Sequence, residues 1–352
     1  MSTPHYYLGV VRALEPIMIR SRRTPRGYES LSDVLPASSL AAALARGLGL
    51  GGGLELLSRG YAVSDAYPVY IRRGDYVPTI PSTPTTYKIK NIGGIGSSLP
   101  RAFFCLTTPG NETRVYRRVY EHVERKIKFK PSGLLKNVKT GSPVAIEGDK
   151  SEDDVPCVAA RVVEVRAEHS YDSVAINPGR GSAEEEMLFT YYAIPAGTCF
   201  WFTAAIPGEV SEESLETRIG GRTSAGYGRA HVIIERIGDD VVERIEEHYS
   251  GDEAYMYLWS PSPSLALTGL SRPGWSRASG RPRLAVPLLP AGSVIERRRA
   301  GERIGVVEAR FRGIAPPYGQ AEPVRSDDAV PYTFTLFSQR ISELCRRLEN
   351  LV

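Results

Sequence analysis

A glycine-rich stretch at residues 219–234, with the sequence IGGRTSAGYGRAHVII, constrains this chain more than any other feature. Four of its glycines fall within nine positions. Glycine permits positive φ angles and leaves backbone N–H groups uncovered, so a loop of this kind can lie against a phosphate backbone. Arginine adds forked hydrogen-bond donors, and tyrosine adds a face on which a base can stack. The stretch therefore predicts a nucleic-acid contact formed by Gly220, Gly221, Arg222, Ser224, Gly226, Tyr227, Gly228 and Arg229.

Two nucleotide-binding motifs do not fit this stretch. A loop that binds nucleoside triphosphates ends in Gly-Lys-Ser/Thr, which does not follow these glycines. A Rossmann fingerprint leaves a strand and opens a helix. Here an acidic, helix-like run at 211–218 precedes the glycines and a β-branched run at 232–234 follows them, so the sequence predicts a loop from a helix into a strand. The alternative is a tight structural connection without a ligand.

Charge is divided unevenly along the chain, although the net charge is only +4. Residues 1–140 carry 21 Lys and Arg against 9 Asp and Glu, residues 141–270 carry 9 against 23, and residues 271–352 carry 14 against 8. A basic first segment joined to an acidic middle segment indicates a polyanion on one face and a different partner on another. The alternative is that the acidic residues coat a solvated face.

The composition argues against membrane and metal proteins. No stretch approaches the ~18 apolar residues of a membrane span, and the N-terminus lacks a signal pattern, so we expect a cytoplasmic protein without membrane contact. The four cysteines lie far apart, no Cys-x-x-Cys pair occurs, and the five histidines are scattered, so we expect no metal site and no cofactor. Only two glutamines and five asparagines accompany 36 arginines, which indicates a thermophilic source.

Two basic segments supply candidate phosphate partners. The first, a proline-broken loop at 20–26, follows a strand pattern at 6–14. The second, at 114–130, alternates cations with aromatic residues and fits a surface that tracks a nucleic-acid backbone and stacks its bases. A solvated charged ribbon is the alternative for the second segment. The candidate residues are Arg20, Arg22, Arg23, Arg117, Arg118, Lys126 and Lys128.

A short helix is predicted at 37–46, between the two basic segments. Alanine and leucine propagate it, Ser38 or Ser39 can cap its start, and Gly47 ends it. The N-terminus of a helix attracts anions, and this one carries two hydroxyl groups, which makes it a candidate anion site. A plain capped helix is the alternative.

The order of elements predicts an α+β fold. Strand patterns at 6–14, 156–168 and 189–206, the helices at 37–46 and 211–218, and the strand after the glycines give β-α-β-β-α-β over residues 1–237. That order is typical of a ferredoxin-like (RRM-like) domain, here with a large insertion at about 50–150 that lacks regular periodicity. Residues 238–352 are interpreted as a second, smaller α+β domain, also ferredoxin-like, with an amphipathic C-terminal helix at 334–351.

Several stretches together resemble the RAMP (repeat-associated mysterious protein) superfamily of CRISPR effector subunits. The segment Gly-Gly-Arg-x-Ser-x-Gly-Tyr-Gly-Arg looks like its glycine-rich loop. Further stretches resemble one branch, the five-type subunit of type III-D complexes; they lie at 35–45, 66–88, 169–191 and 291–294. Ala37 departs from the glycine of that branch, Ala42 and Ala43 from its Arg-Gly, and no second full glycine-rich loop follows residue 305.

The resemblance implies a non-catalytic subunit that holds the 5′ handle of the guide RNA in antiviral defence. Its implied partners are that single-stranded handle, the large polymerase-like subunit and the backbone RAMP subunits. Phosphate contacts would come from the glycine loop and the arginines, and handle specificity from splayed, stacked bases. The resemblance adds Lys88, His169 and Arg180 to the candidate RNA contacts.

The alternative function is a metal-independent endoribonuclease of the same superfamily, which processes precursor guide RNA. Such cleavage needs a general base near the 2′-OH and a general acid for the leaving oxygen. His169 is the candidate, assisted by Tyr171 or Lys88, whereas we expect His231 to be structural. No histidine lies in the helix at 37–46, which counts against the nuclease. A ferredoxin-like metabolic enzyme is disfavoured because no carboxylate dyad or nucleophile motif is present.

Overall fold

A long antiparallel β-sheet forms the centre of the structure, which is a computed structural model. The described residues are 4–19, 22–24, 27–29, 33–50, 61–90, 100–127, 133–150, 157–165, 168–176, 183–210, 214–248, 255–259, 262–263, 275–276, 281–282, 288–296, 321–325 and 328–351. Within these residues the helices are α1 (Ala37–Gly47), α2 (Glu112–Ile127), α3 (Asp239–His248) and α4 (Tyr332–Glu349).

The strands divide into one large sheet and several small ones. They are β1 (Pro4–Ala13), β2 (Arg22–Thr24), β3 (Gly27–Glu29), β4 (Ala62–Val63), β5 (Tyr67–Arg72), β6 (Asp75–Pro81), β7 (Tyr87–Ile89), β8 (Ala102–Cys105), β9 (Leu135–Asn137), β10 (Pro143–Lys150), β11 (Cys157–Val162), β12 (Glu168–Ile176), β13 (Ala183–Ala193), β14 (Cys199–Pro207), β15 (Ser214–Arg218), β16 (Arg229–Arg236), β17 (Tyr255–Leu258), β18 (Ser262–Pro263), β19 (Trp275–Ser276), β20 (Arg281–Pro282), β21 (Leu288–Leu289), β22 (Val294–Glu296) and β23 (Ala321–Val324).

The large sheet has the strand order β15-β16-β1-β14-β5-β6-β10-β11-β8-β7-β9, with β4 also paired to β14. A second sheet has the order β12-β13-β3-β2, and its β13–β3 pair is parallel. A third sheet has the order β22-β17-β23, and the pairs β18–β21 and β19–β20 complete the described strands.

Strand β1 lies at the middle of the core because both of its faces are apolar. Tyr7 and Val11 belong to one cluster with Leu40 of α1, whereas Leu8 and Val10 belong to another with residues of α4. Successive side chains of a strand point to opposite faces, so α1 and α4 cover opposite faces of the sheet. The first strand predicted from the sequence is therefore confirmed, as is the helix at 37–46.

Helix α4 confirms the predicted C-terminal helix and its apolar face. Its buried residues include Phe334, Phe337, Ile341, Leu344 and Leu348. They share a core with β1, so the two segments that we assigned to separate domains contact each other through this helix. The boundary at residue 237 stays a prediction.

Ion pairs and hydrogen bonds fix the outer side of α4 to the sheet. Arg340 pairs with Glu235 of β16 at 2.5 Å, and Arg346 pairs with Asp75 of β6 at 3.1 Å. The Tyr76 hydroxyl donates a hydrogen bond to Glu349 at 2.6 Å. Exposed pairs contribute only about 0–1 kcal/mol each, so these contacts orient the helix while the apolar face supplies most of its stabilisation.

The α+β class agrees with the structure, but the ferredoxin-like order is not confirmed. Residues 214–218 form strand β15 rather than the predicted helix. Their burial alternates with a period of two, because Leu215 and Thr217 are buried while Glu216 and Arg218 are exposed. The acidic composition suggested a helix, whereas the alternation that decides the element is that of a strand.

The insertion at about 50–150 also has more regular structure than its sequence indicated. Within its described residues it holds strands β4 to β10 and helix α2. Val115, Val119 and Val123 recur every four residues and are buried, so the segment that alternates cations with aromatics is, up to Ile127, an amphipathic helix rather than a ribbon. The sequence analysis did not recognise this helix because its buried apolar stripe consists of only three valines.

The four cysteines, which are far apart in the sequence, form two close pairs in the fold. Cys105 of β8 and Cys157 of β11 are directly paired across the sheet and joined by a disulfide. Cys199 of β14 and Cys345 of α4 are free thiols whose sulfur atoms lie 2.8 Å apart.

No helix in the described part of the chain has the length and hydrophobicity needed to cross a bilayer.

Substitution of Ile341 tests the packing of α4. Ile341 is fully buried, so Ile341→Ala should lower the free energy of unfolding by about 2–5 kcal/mol through lost burial and the cavity left behind. Gln339→Ala, on the exposed side of the same helix, should change it by less than about 0.5 kcal/mol. Denaturant unfolding measures both, and equal effects would mean that α4 does not contribute to the core.

Candidate functional site

The glycine-rich stretch is the loop of a β-hairpin. Strands β15 and β16 pair in register from Ser214↔Ile233 to Arg218↔Arg229. The Ile219 N–H donates to the Gly228 carbonyl at 2.8 Å and closes the base of the loop. The predicted helix-to-strand loop is therefore wrong: two antiparallel strands flank it. His231 lies on β16 and shares a 2.7 Å hydrogen bond with Ser214, which fits the structural role expected for it.

The base of the loop is bonded to the segment that follows β1. The Gly228 N–H donates to the Pro16 carbonyl at 2.9 Å, and the Gly221 N–H donates to the Met18 carbonyl at 3.0 Å. The Arg229 carbonyl accepts from the N–H groups of Leu14 and Glu15. Two of the N–H groups that we expected to face a phosphate are thus occupied by carbonyl groups of the chain itself.

Two glycines are required by close packing at this base. Gly220 and Gly228 have φ angles of 90° and 85°. A Cβ at Gly220 would lie 2.5 Å from the Met18 oxygen, and one at Gly228 would lie 2.2 Å from the Ile219 oxygen. No side chain fits at such distances from backbone, so the two glycines serve the fold. Gly226 differs, because it is exposed and an added Cβ would meet no atom within 4 Å.

The exposed part of the loop is residues 222–226, which we call the loop tip. Residues Thr223–Ala225 form a 3-10 turn between Arg222, at φ 58°, and Gly226, at φ 80°. The Ala225 N–H donates to the Arg222 carbonyl at 2.9 Å, and the Arg218 guanidinium donates to the Thr223 carbonyl. The side chains of Arg222 and Ser224 are exposed, so the tip presents a cation and a hydroxyl on an ordered turn.

A tyrosine pair supports the cation of the loop tip. The Arg222 guanidinium lies over the Tyr191 ring, 4.0 Å from its centroid. The Tyr227 ring meets Tyr191 edge to face at 6.5 Å and is only 1% exposed. Tyr227 was predicted to stack on a base, but its buried ring has no open face. It packs against Tyr191 instead, in a small buried cluster with Met18 and Ala193.

The second sheet brings further predicted residues next to Tyr191. One row of paired residues runs Tyr171, Tyr191, Tyr28 and Arg23 across β12, β13, β3 and β2. The neighbouring row runs His169, Tyr192, Glu29 and Arg22. The sheet therefore brings four predicted residues onto strands one or two places from Tyr191, the residue that supports Arg222. They are Arg22, Arg23, His169 and Tyr171. No pattern in the sequence indicated that these segments meet in one sheet.

Arg229, at the end of the loop, has an acidic neighbour. Its guanidinium lies 3.4 Å from the Glu15 carboxylate, and its side chain is half exposed. An exposed pair of this kind contributes about 0–1 kcal/mol, so a phosphate could replace the carboxylate at small cost. Arg229 therefore remains a candidate contact beside the loop tip.

A separate group of predicted cations lies at the other end of the large sheet. Lys88 is on β7, and Arg117, Arg118 and Lys126 are on α2, which packs against that end through Tyr87 and Tyr116. Eight strand steps separate β16 from β7. At about 4.8 Å per step, that is on the order of 40 Å measured along the sheet. The structure thus divides the predicted residues into two surfaces.

The start of α1 is already occupied by a carboxylate of the chain. The Ala37 N–H donates to the Asp65 carboxylate at 2.7 Å, and Asp65 is buried. Pro36 stands at the cap position without a side-chain hydrogen bond, so the prediction that Ser38 or Ser39 caps the helix is wrong. A helix N-terminus attracts one anion well, and here Asp65 fills that place. The sequence missed Asp65 because it lies 28 residues from its partner.

The segment at 291–294, one of the stretches noted for its resemblance to the RAMP superfamily, has a role in packing. Gly292, at φ 80°, lies against the carbonyl of Ser82, where an added Cβ would be 2.0 Å from the oxygen. Ser82 belongs to a buried hydroxyl turn in which Thr83 and Thr85 both donate to the Cys105 carbonyl. Both segments therefore serve packing between the small third sheet and the large one.

The remaining predicted residues lie outside the described ranges. These are Arg20, Lys128 and Arg180. Across the described ranges, no group of three or more His, Cys, Asp and Glu side chains could hold a metal ion.

Comparison with known proteins gives structural likeness only. No protein-family model and no curated protein matches the sequence. A chain of the cryo-EM structure of the type III-B Cmr-beta complex bound to cognate target RNA and AMPPnP is similar, with 14% identity, a TM-score of 0.46, and coverage of 87% of this chain and 92% of that one. Pyrococcus furiosus Cmr4 (Cas7) is similar over 66% of this chain and 100% of its own, with 13% identity and a TM-score of 0.22. Likenesses at these TM-scores do not assign a function.

Substitutions at two glycines test the division of the loop into a packed base and an open tip. Gly226→Ala should cost about 1–2 kcal/mol, because only its positive φ is strained. Gly228→Ala should cost about 1–3 kcal/mol more, because its Cβ also collides with backbone. Thermal unfolding of the two variants measures the difference, and an equal loss in both would contradict the packing described here.

Proposed function

We propose that this chain is a non-catalytic RNA-binding subunit of a type III CRISPR effector complex and belongs to the RAMP superfamily. In this proposal the loop tip contacts the phosphates of the 5′ handle of the guide RNA. One observation carries it: Arg222 is exposed on an ordered turn, and its guanidinium is held over the Tyr191 ring. The motifs that resemble the five-type subunit support the finer assignment.

The geometry of Arg222 suits a phosphate. Its guanidinium is planar and always charged, and stacking on Tyr191 fixes the plane before a ligand arrives. A fixed fork loses little side-chain entropy when it binds two phosphate oxygens. The exposed Ser224 hydroxyl on the same turn can contribute a further hydrogen bond.

The neighbouring sheet suits the bases of a single strand. Tyr191 is buried under Arg222, and the strand positions paired with it across the sheet are two tyrosines, Tyr171 and Tyr28, with Arg23 beyond Tyr28. Single-stranded RNA is recognised through splayed bases that stack on aromatic rings, while phosphate contacts set their position. His169 occupies the next row and would contact the handle by stacking or hydrogen bonding.

Partner proteins would use other surfaces. The exposed cations of α2 lie far along the sheet from the loop tip, and α3 exposes Asp239, Asp240 and Glu243. Surfaces of opposite charge favour different neighbours, which supports contacts with both the large polymerase-like subunit and the backbone subunits. Isolation of the protein from its native host, with identification of the RNA and proteins that co-purify, tests the assembly.

Replacement of Arg222 tests the RNA contact. Arg222→Asn removes the charge while asparagine tolerates the left-handed φ of this position. We expect about tenfold weaker binding of a fluorescent single-stranded RNA that carries the handle sequence, as a charged hydrogen bond contributes about 1.5 kcal/mol. The slope of log affinity against log salt should flatten by about 0.7.

Arg236→Asn is the matched control for that experiment. Arg236 is an exposed arginine at the end of β16 that is farther from the loop tip, where it pairs with Glu209 and Asp239. Its replacement should leave both the affinity and the salt slope unchanged. Arg222→Asn protein that is folded and binds as wild type would remove the loop tip from the RNA path.

The nuclease remains the second candidate function, and His169 decides between the two. We expect the purified protein not to cleave repeat-containing RNA, with or without Mg²⁺. A general base contributes about 10²- to 10⁴-fold to a rate, so a true nuclease would lose detectable cleavage in His169→Ala. Cleavage at one site in the repeat by wild type, absent in His169→Ala, would make His169 catalytic. Under our proposal His169→Ala only weakens handle binding modestly.

A further inference from the structure

The second cysteine pair joins the C-terminal helix to the centre of the large sheet. Cys199 on β14 and Cys345 on α4 have their sulfur atoms 2.8 Å apart, which is about 0.75 Å longer than a disulfide bond. Both residues are buried, with exposures of 5% and 1%. They are 146 residues apart in sequence, so only the fold brings them together.

The surroundings hold the two sulfur atoms in place. Cys199 is paired with Arg12 of β1 within the sheet, and Cys345 lies between Leu344 and the ion-paired Arg346 on α4. The other two cysteines of the chain already form the Cys105–Cys157 disulfide. The fold therefore sorts all four cysteines into two pairs, one of which is joined by a disulfide.

We propose that Cys199 and Cys345 form a second disulfide, which fastens α4 to the sheet. Oxidation would proceed by thiol–disulfide exchange with a small-molecule disulfide such as oxidised glutathione. One cysteine thiolate attacks the reagent to form a mixed disulfide and releases one thiol. The second thiolate then attacks the mixed disulfide, the Cys199–Cys345 bond forms, and a second thiol leaves. The two protein thiols lose two electrons and two protons, and the reagent is reduced to two thiols.

Burial sets when this bond can form. Burial, together with the hydrogen bond to Cys199, raises the pKa of the Cys345 thiol, and only a thiolate attacks a disulfide. Exchange in the folded protein is therefore slow, and the bond forms during folding or while α4 is detached. Once formed, the same burial shields it from reducing agents. A closed loop of this length lies at the upper end of those for which disulfides stabilise a fold.

Thiol counting by mass spectrometry tests the proposal. The protein is refolded with oxidised glutathione, denatured without reductant and treated with N-ethylmaleimide. We expect no alkylated cysteine and no bound glutathione in wild type, and four alkylated cysteines after prior reduction. In Cys199→Ala the unpaired Cys345 should be alkylated or carry one glutathione, and in Cys105→Ala the same should hold for Cys157; the intact mass separates these states from a disulfide within the protein. A peptide map without reduction should contain the Cys199–Cys345 cross-link. Two alkylated thiols at Cys199 and Cys345 in wild type would overturn the proposal.

A stability measurement isolates the second bond. Cys105→Ala/Cys157→Ala protein refolded with a reductant should melt several degrees lower than the same protein refolded with oxidised glutathione, because Cys199–Cys345 is the disulfide left to form. Adding Cys345→Ala to that variant should abolish the effect of the reductant. An unchanged melting temperature in the first variant would contradict a stabilising bond. Where loss of the first disulfide prevents folding, the thiol count in wild type decides.

Discussion

The burial of β1 on both faces is the constraint on which the rest of this structure depends. Tyr7 and Val11 pack towards α1, and Leu8 and Val10 pack towards α4. Because both neighbours of β1 in the sheet are also in register with it, its position fixes β14 and β16 together. A shift by one residue would exchange the two apolar faces, so the register is strongly specified. The loop that enters β16 is consequently held at a fixed place.

The glycines of the loop serve two purposes, close packing at the base and a left-handed turn at the tip, which look the same in the sequence. At its base, Gly220 and Gly228 allow the hairpin to approach the segment after β1, where backbone groups bond to each other. At its tip, Arg222 and Gly226 take left-handed angles, and the turn between them is exposed. Two of the backbone N–H groups that were expected to face a phosphate, those of Gly221 and Gly228, are thus committed to the fold. What remains for a ligand is the tip, where a charged side chain stands on a rigid support.

Local patterns explain which elements were predictable. The first strand, α1 and α4 have apolar residues at regular spacing, so their types followed from the sequence. Strand β15 was missed because its acidic composition suggested a helix. Helix α2 was missed because only three buried valines form its apolar stripe. Contacts between distant residues could not be foreseen at all: Asp65 caps a helix 28 residues away, and Tyr191 meets Arg222 from another sheet. The candidate residues were identified by type, whereas their grouping required the fold.

The division of the predicted cations between the loop tip and α2 determines how their charges can act. Fields of exposed charges fade over a Debye length, which is about 8 Å at physiological salt. The loop tip and the cations of α2 are separated by several times that distance along the sheet. Because β16, at the loop tip, and β7, against which α2 packs, lie eight places apart in the sheet, we expect the two groups to contact different parts of a ligand or different partners. On α2 the exposed Arg117 pairs with Glu121, and its neighbours are of both signs, which suits a protein surface as well as a phosphate. At the tip an arginine lies over the buried Tyr191 ring, beside the strand positions of Tyr171 and Tyr28, and our proposal assigns the exposed bases of a single strand to this surface.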